Sequence, residues 1–297
     1  MPKISVIVAS KVGAPFIDQC LASIRAQVEA LDAEAVVVAA GAQDHAARLA
    51  RDYPWARVVP APDLRKVPAL RRRGLEQSSG DYIAIIEEHC SAKEDWLGRA
   101  IQAHASGTYA AVGGPVADFD YDRLPDWAVY FMEYNSALPP WPAGETVHLH
   151  DVNIVYRREA LAAHLDLLGE GYWPMALHPT LLAEGRKFMS VPDMLVYHRG
   201  PFPFAYYLRQ RYLFSRAFAG VRARNQSAAK RWAYLLGGPV VPFFLLARMG
   251  ATVMRKRCRI GKFVRALPLL APALIVLVAG EWVGCLLGPG DALSEVE

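Results

Sequence analysis

The amino-acid sequence predicts an α/β domain with a mostly parallel sheet, followed by membrane-associated helices. Short apolar runs at residues 4–9, 35–40, 57–60 and 82–87 alternate with stretches of helical periodicity, the pattern of βαβ units. In addition, 53% of the 297 residues are hydrophobic and the mean hydropathy is +0.13, which is high for a soluble protein. The excess apolar surface is expected to face lipid.

The N-terminal half begins with a strand and a helix. Residues 4–9 are too short an apolar run for a signal peptide and fit a buried strand. Pro15 stands at a plausible helix start, and the apolar face of that helix would consist of Phe16, Ile17, Cys20, Leu21 and Ile24. The four cysteines lie far apart without a CxxC pair, so we expect a reducing, cytoplasmic environment.

Ligands of open α/β sheets bind beyond the carboxyl ends of the strands. In this sequence those ends are Ser10, residues 40–44 and residues 87–89. We therefore expect the functional residues to collect there. Residues 110–160, with a Gly-Gly-Pro turn and a proline-rich stretch, are expected to form a long loop over the site.

The C-terminal third is expected to attach the protein to a membrane. The predicted division is residues 1–203 for the α/β domain, 204–231 for an amphipathic interfacial helix, 232–290 for hydrophobic membrane-associated helices and 291–297 for a short acidic tail. Charges and prolines interrupt both apolar segments, so a re-entrant arrangement fits as well as a crossing, and burial as ordinary core helices is the alternative.

Basic residues flank the first apolar segment on both sides. Such flanks favour an anionic membrane surface over a nucleic acid, because Lys and Arg gather beside membrane segments. We therefore expect membrane lipids as partners and no nucleic acid. The positive-inside rule then predicts that both ends of the first apolar segment face the cytoplasm.

The residues Glu87, Glu88 and His89 follow a buried apolar run and can hold a cation. Carboxylate oxygens and an imidazole are ligands for Mg²⁺ or Mn²⁺, and such an ion would neutralise a pyrophosphate leaving group. Two adjacent glutamates after a strand also occur as a solvated turn. The residues alone leave both interpretations open.

The order of several segments resembles family 2 glycosyltransferases of the GT-A fold. The resemblance covers about residues 4–200, and it rests on Ser5-Val6-Ile7-Val8, Cys20 to Gln27, Val36-Val37-Val38, Gly80-Asp81-Tyr82-Ile83-Ala84, Asp95-Trp96-Leu97, Asn153 to Leu161 and Val196-Tyr197-His198. The tail, with Gly280-Glu281-Trp282-Val283-Gly284, resembles that of membrane-attached members.

The resemblance implies a set of binding residues. The family's metal-binding DxD motif maps onto Glu87, Glu88 and His89, and its late histidine maps onto His198, which together would bind Mg²⁺ or Mn²⁺. The donor nucleoside would lie against Ser10 and the 40–44 loop with Asp44, although the family's usual Asp is missing after Val38. Arg71 matches the family's Arg-Asn-x-Gly turn, and with Lys66 it would face the diphosphate or simply form a solvated basic helix face.

The general base has no direct match. The position that the family pattern gives for it is Pro174, whose side chain cannot take a proton. The candidates are Glu170, in a Gly-Glu-Gly turn, and His178. The alternatives are a loop residue in solvent and a packed helical histidine.

The resemblance implies an inverting glycosyltransferase. It would move a sugar from a nucleotide-sugar, with a UDP-sugar as the expected class, to a lipid-linked or glycan acceptor of polysaccharide biosynthesis, at the cytoplasmic membrane face. Two alternatives are a catalytically silent relative that binds nucleotide-sugars and a membrane scaffold that binds no nucleotide. The sequence carries no signal for an oligomeric state.

Overall fold

A computed structural model describes residues 4–11, 13–168, 173–200, 202–224 and 226–296. The chain divides into two compact units. The α/β unit comprises residues 1–119 and 139–199, and the helical unit comprises residues 120–138 and 200–297. The second unit thus takes in residues 120–138, which the sequence placed in the α/β domain.

The described residues of the α/β unit form two sheets. The strands are β1 (Ile4–Ser10), β2 (Glu34–Ala40), β3 (Arg57–Ala61), β4 (Tyr82–Ile86), β5 (Cys90–Ala92), β6 (Tyr109–Gly113), β7 (Val116–Ala117), β8 (Gly144–Thr146), β9 (Asn153–Arg157), β10 (Lys187–Ser190) and β11 (Val196–His198). The large sheet has the order β3-β2-β1-β4-β9-β6-β10-β8, and the small one has the order β5-β11-β7.

The large sheet is mixed but mostly parallel. Strands β1 to β4 run in one direction, and β9 pairs antiparallel with both β4 and β6. Every residue of β4 is buried, and β1 and β2 are almost as fully covered, as expected for parallel strands with helices on both faces. The predicted α/β fold with a mostly parallel sheet is confirmed.

The helices, numbered along the chain, belong to both units. They are α1 (Phe16–Ala30), α2 (Gln43–Asp52), α3 (Val67–Glu76), α4 (Trp96–Ala105), α5 (Leu124–Tyr134), α6 (Arg158–Ala162), α7 (Trp173–Ala183), α8 (Phe204–Arg224), α9 (Ala228–Gly237), α10 (Val241–Lys256), α11 (Ile260–Leu287) and α12 (Ala292–Glu295). Helices α5 and α8 to α12 lie in the helical unit.

Helix α3 packs very closely on β1. A Cβ atom at Gly74 would lie 2.4 Å from Cγ2 of Ile7, so any larger residue would push the helix away from the sheet. Arg71 precedes Gly74 by three residues and therefore shares its face of the helix. This packing carries the Arg71 side chain into the buried region beside the sheet.

The segment predicted as a long loop is largely regular structure. Residues 110–160 contain most of β6, strands β7, β8 and β9, and helix α5. Asn153, fully buried, ties the Gly-Gly-Pro turn to its neighbours: its amide donates to the carbonyls of Pro115 (2.8 Å) and Met194 (2.7 Å), and its oxygen accepts from the Trp96 indole (2.8 Å). Gly114 is needed there, because its Cβ would stand 1.8 Å from the Met194 oxygen.

The first helix of the C-terminal segment, α8, is shorter than predicted. The expected interfacial element at 204–231 is divided between α8, which ends at Arg224, and α9, which begins at Ala228. Two described stretches are long and apolar enough to cross a membrane by length and composition, Ala228–Lys256 with mean hydropathy 1.4 and Ile260–Leu287 with 2.1. Core helices of soluble proteins can meet the same test.

Candidate active site

The carboxyl ends of β1, β2 and β4 meet at one edge of the large sheet, because these strands are neighbours and parallel. The amino end of β9 lies at the same edge, since Asn153 pairs with Ile86 in the antiparallel register. Side chains that follow β1 and β4 or precede β9 are therefore brought together. Two clusters of polar side chains occupy this edge.

The first cluster is the loop anchor, formed by Ser10, Gly13, His45 and Glu88. The Glu88 carboxylate, 4% exposed, accepts hydrogen bonds from the Ser10 hydroxyl (2.8 Å) and from the backbone N–H groups of Lys11 (2.8 Å) and Gly13 (3.0 Å). Such charge-assisted bonds are the strong ones in proteins. Glu88 therefore holds the chain that leaves β1 in place.

His45 completes the loop anchor from the start of α2. Its Nε2 lies 3.0 Å from the Ser10 oxygen. Because the single Ser10 proton goes to the carboxylate of Glu88, Nε2 must carry the hydrogen and donate it to Ser10. The ring lies over Gly13, where φ is +85° and a Cβ would come within 3.1 Å of the imidazole. Nδ1 is then left as an acceptor.

Burial lowers the pKa of His45, although the Glu88 charge opposes this shift. The neutral imidazole, in which Nδ1 is an acceptor, is therefore favoured near pH 7.

The second cluster is the arginine cluster, formed by Arg71, Glu87 and Asp151. The Arg71 side chain is 2% exposed and donates from Nη1 to Asp151 (2.9 Å) and from Nη2 to Glu87 (3.4 Å). Burial alone would raise the pKa of Asp151, but the Arg71 charge holds it below its ordinary value. The Asp151 carboxylate is thus ionised at neutral pH, and the formal positive charge of Arg71 faces two carboxylates in the cluster.

This geometry argues against the predicted contact between Arg71 and a diphosphate. The guanidinium is buried and already shared by two carboxylates. Lys66 is half-buried and stands directly before α3, while Asp44 is exposed in the first turn of α2. Both lie in segments that follow parallel strands, so their roles in donor binding remain predictions.

The two histidines of the predicted metal site lie beside the small sheet. His198 pairs with Cys90 across β11 and β5, so it is brought next to His89. It is 3% exposed, and burial, with smaller contributions from His89 and His150, lowers its pKa to about 3. The His89 ring meets the Phe16 ring edge to face at 5.1 Å.

The four predicted metal ligands do not form one cage. Within the described residues, no three His, Cys, Asp or Glu side chains stand close enough to hold a metal ion by themselves. Glu88 is committed to the loop anchor, and His198 is buried. Glu87 is the one of the two glutamates whose carboxylate stays partly exposed, at 28% of the side chain.

Glu87 and His89 nevertheless fit a cation that a ligand helps to bind. Mg²⁺ is usually held by one or two carboxylates together with substrate phosphates and water, not by a closed protein cage. The two carboxylates of the arginine cluster also suit a cation at its exposed side. The chemistry of the donor set thus fits a divalent ion through Glu87, with His89 as its neighbour.

The two candidates for the general base are placed differently. Glu170 lies outside the described residues. His178 lies on α7 with 5% exposure, its Nε2 is 2.8 Å from the Tyr156 hydroxyl, and burial lowers its pKa to about 4. Its ring also contacts that of Phe188 at 4.6 Å between centroids. His178 is therefore packed like a core histidine, and this position argues against a role as base.

Sequence reasoning missed Asp151 and His45. Asp151 precedes β9, and only the antiparallel register places the amino end of that strand beside the carboxyl end of β4. A carboxylate two residues before a buried strand was the signal that could have found it. His45 lies one residue beyond Asp44, the residue chosen from the same loop, so the loop was identified but not the side chain.

The comparison with protein families gives a match over most of the α/β unit. Residues 5–165 match the family described as Glycosyl transferase family 2. Among curated relatives, the succinoglycan biosynthesis protein ExoM of Rhizobium meliloti is 31% identical over 86 residues, which cover 29% of this chain and 28% of that protein. The chain thus matches less than a third of this relative's length.

Two solved structures share the fold at low sequence identity. The mannosyltransferase PcManGT of Pyrobaculum calidifontis, in complex with GDP-Man and Mn²⁺, superposes with a TM-score of 0.53 and 19% identity, covering 90% of this chain and 86% of that one. TarS 1-349 of S. aureus, in complex with UDP-GlcNAc, gives 0.55 and 15% identity, covering 94% and 90%.

These likenesses confirm the GT-A-like α/β fold, and nucleotide-sugars occupy both of the solved structures. The family match extends over more than half of the 297 residues and includes both clusters at the sheet edge. The chain belongs to glycosyltransferase family 2.

Proposed function

We propose that this glycosyltransferase transfers a sugar, with inversion, from a nucleotide-sugar to a lipid-linked or glycan acceptor at the cytoplasmic face of a membrane. The observation that carries this proposal is the arginine cluster at the carboxyl edge of the sheet. Its Glu87 carboxylate is the partly exposed member, and it stands where ligands of such sheets bind.

The donor's diphosphate approaches the carboxylates of the arginine cluster. Direct contact would be repulsive, and a divalent cation held by Glu87 would offset this repulsion. When bound, Mg²⁺ or Mn²⁺ neutralises the charge that develops on the departing diphosphate. Glu87 and His89 would hold it, and Arg71, itself fixed by Asp151, orients the Glu87 carboxylate. The Mn²⁺ in the complex of PcManGT supports this assignment.

The donor's base is placed against the loop anchor. His45 presents Nδ1 as an acceptor, so it suits a base with an imide or amide N–H, such as uracil or guanine, and disfavours cytosine, which has an acceptor at the same position. UDP-GlcNAc and GDP-Man, bound by TarS and PcManGT, both carry such an N–H. A UDP-sugar remains the expected donor class.

The acceptor hydroxyl needs a base within hydrogen-bond reach. With His178 packed in the core, Glu170 is the proposed base. It would take the hydroxyl proton while the acceptor oxygen attacks the anomeric carbon, and the nucleoside diphosphate leaves with the electrons of the broken bond. An acceptor in polysaccharide biosynthesis is supported by the name of the relative ExoM.

Membrane attachment is the second part of the proposal. Two long apolar helical stretches and their basic borders lie in residues 228–287. Tethering the enzyme at the bilayer raises the local concentration of membrane-embedded acceptors. Removal of residues 204–297 should release a domain that no longer sediments with membranes.

Release of nucleoside diphosphate from a panel of UDP-, GDP- and CDP-sugars, with Mn²⁺ and a lipid extract as acceptor, tests the transfer. We expect release from a UDP- or GDP-sugar that depends on the extract. Binding of a nucleoside diphosphate without transfer by any donor would identify a silent nucleotide-sugar binder. That alternative is favoured by the contacts that Glu88 makes with Ser10 and that Arg71 makes with Asp151 within the protein. Absence of any binding would contradict both.

A further inference from the structure

Helices α9 and α10 present a continuous apolar row to their surroundings. It runs along the stretch Ala228–Lys256. Only 17% of the most apolar 18 residues of this stretch are buried within the protein. The row consists of Trp232 (61% exposed), Leu236 (77%), Val240 (65%), Phe243 (75%) and Met254 (59%). The interval of four residues places Trp232 and Leu236 on one face of α9, and the interval of eleven places Phe243 and Met254 on one face of α10. Val240 ends the 3₁₀ turn Gly238–Val240 that joins the two helices.

A basic row borders the apolar row on one side. Lys230, Arg248 and Arg255 are exposed and stand 18 and 7 residues apart. The second spacing is close to two turns at about 3.6 residues per turn, so Arg248 and Arg255 line up along α10, and Lys230 adds an exposed cation at the start of α9. An exposed apolar row with a parallel basic row is the pattern of a helix that lies in a bilayer interface.

Helix α11 cannot be surrounded by lipid, because α8 lies alongside its C-terminal half. A Cβ at Gly280 would come within 2.5 Å of the Tyr212 carbonyl oxygen, and one at Gly284 within 2.3 Å of the Arg216 oxygen. The order of these contacts shows that the two helices run parallel. Close approach of this kind requires small residues, as in Gly-x-x-x-Gly packing.

The neighbour α8 is too polar for a hydrocarbon environment. It carries Arg209, Arg211, Arg216, Arg222 and Arg224. Arg222 reaches across to Glu281 of α11 at 3.4 Å, and Arg231 of α9 donates to the Cys285 carbonyl at 2.6 Å. If α11 crossed a bilayer, these charges would be carried into its apolar core, where charged side chains are strongly disfavoured.

We propose that the helical unit is seated on one leaflet of an anionic bilayer and does not cross it. The apolar row of α9 and α10 enters the boundary between headgroups and acyl chains, and the basic row contacts anionic headgroups. This inference rests on the membrane attachment in the proposed function. It selects between the crossing and non-crossing arrangements that length and composition leave open.

The native cysteines provide a topology test in the full chain. Cys258, between α10 and α11, is partly exposed, whereas Cys20, Cys90 and Cys285 are buried. Ser227, directly before α9, marks the other end of the stretch, and Ser227→Cys in a Cys258→Ser background labels it. A membrane-impermeant maleimide is applied to inside-out vesicles and to spheroplasts of a bacterial expression host, with detergent-solubilised protein as the reference for full labelling.

We expect both positions to react in inside-out vesicles and neither in spheroplasts. Labelling of Cys258 from the side opposite to Ser227→Cys would show that the stretch crosses the bilayer and would overturn the proposal. So would a Cys258 that reacts only after detergent is added, because it would then lie within the membrane. The labelling reads topology whether or not sugar transfer is detected, so the two proposals fail separately.

Vesicle flotation tests the lipid partner. The variant Lys230→Gln/Arg248→Gln/Arg255→Gln should bind vesicles with 30% phosphatidylglycerol more weakly, by about fivefold per cation removed, and should bind pure phosphatidylcholine vesicles like the wild type. The matched control replaces three exposed cations of the α/β unit, Arg25, Arg51 and Lys187, with Gln. Equal losses in both variants, or a lipid-free dimer that does not float and that Phe243→Glu dissociates, would contradict a bilayer as the occupant.

Discussion

The loop anchor and the arginine cluster use adjacent glutamates of one strand end for opposite purposes. Glu88 is buried and saturated by three donors from the chain that leaves β1. Glu87 is partly exposed and shares Arg71 with Asp151. Glu87 directly follows β4, whereas Glu88 lies in the turn that the Cys90 N–H closes on the Glu87 carbonyl, so these neighbours in sequence meet different surroundings. One carboxylate therefore builds the site, and the other is left to meet a ligand.

Glu88 is bonded within the protein and Glu87 is assigned to the cation, so the comparison predicts that another carboxylate takes the acceptor's proton. Glu170→Gln should lower turnover by about 10²–10⁴-fold with little change in donor binding, because a positioned base contributes that much to rate. Steady-state kinetics with a fixed donor measure it, and Asp166→Asn, an exposed carboxylate nearby, is the control. An unchanged rate beside an inactive His178→Ala would transfer the role to the histidine.

The folded protein should depend on the Arg71 guanidinium of the arginine cluster for its stability. Arg71→Met leaves Glu87 and Asp151 without their partner, and breaking a buried ion pair costs about 3–5 kcal/mol of unfolding free energy. Urea unfolding followed by tryptophan fluorescence measures the loss. Arg72→Met is the matched control on the same helix, because its pair with Glu76 is exposed and worth about 0–1 kcal/mol. Equal losses of unfolding free energy in the two variants would show that the arginine cluster does not stabilise the fold.

Two buried histidines outside both clusters should make the fold sensitive to acid. Burial lowers the pKa of His104 and of His178 to about 4, against about 6.5 in the unfolded chain. Below pH 6.5 the unfolded chain therefore binds protons that the folded protein does not, so stability falls as the pH drops towards 4. At pH 5 each histidine should cost about 2 kcal/mol relative to pH 7.

Thermal unfolding across this pH range measures the acid effect. The variant His178→Gln should lose about half of the pH dependence that the two histidines produce. A wild-type unfolding temperature that does not change between pH 7 and pH 5 would show that neither histidine is buried in its neutral form.

The smallest expected effect is the difference in unfolding free energy between variants of the two glutamates. Glu88→Gln removes the charge from three hydrogen bonds and should cost about 1.5–3 kcal/mol, the range for bonds to charged groups. Glu87→Gln should cost less, because its side chain is partly solvated and its distance to Arg71 is 3.4 Å. Urea midpoints compare the two directly. A larger loss of unfolding free energy for Glu87→Gln would contradict the structural role assigned to Glu88.

The parallel part of the fold could be predicted because its strands are buried on both faces and appear as continuous apolar runs. The helix that follows β1 was also found from its apolar face, and it begins at Phe16. The antiparallel insertion of β9 between β4 and β6 could not be predicted, since its pairing joins residues far apart in the chain. For the same reason α5 was not assigned to the helical unit.

The position of the site could be predicted, but not the role of each side chain in it. Strand ends located the edge, and the apolar run of β4 pointed to Glu87 and Glu88. Which of them is buried depends on the chain that leaves β1, whose N–H groups surround Glu88. Arg71 was identified as basic and close to the site, yet its burial between two carboxylates determines that it orients them.

The most direct test of the two roles measures ligand-induced stabilisation of the wild type, Glu87→Gln and Glu88→Gln with UDP or GDP and Mn²⁺. A ligand at 100 times its Kd stabilises the folded protein by about 2.7 kcal/mol. We predict that Glu87→Gln loses most of the stabilisation that depends on Mn²⁺. Glu88→Gln should have a lower unfolding temperature without ligand but should keep the Mn²⁺-dependent stabilisation. Full stabilisation of Glu87→Gln together with its loss in Glu88→Gln would contradict the account.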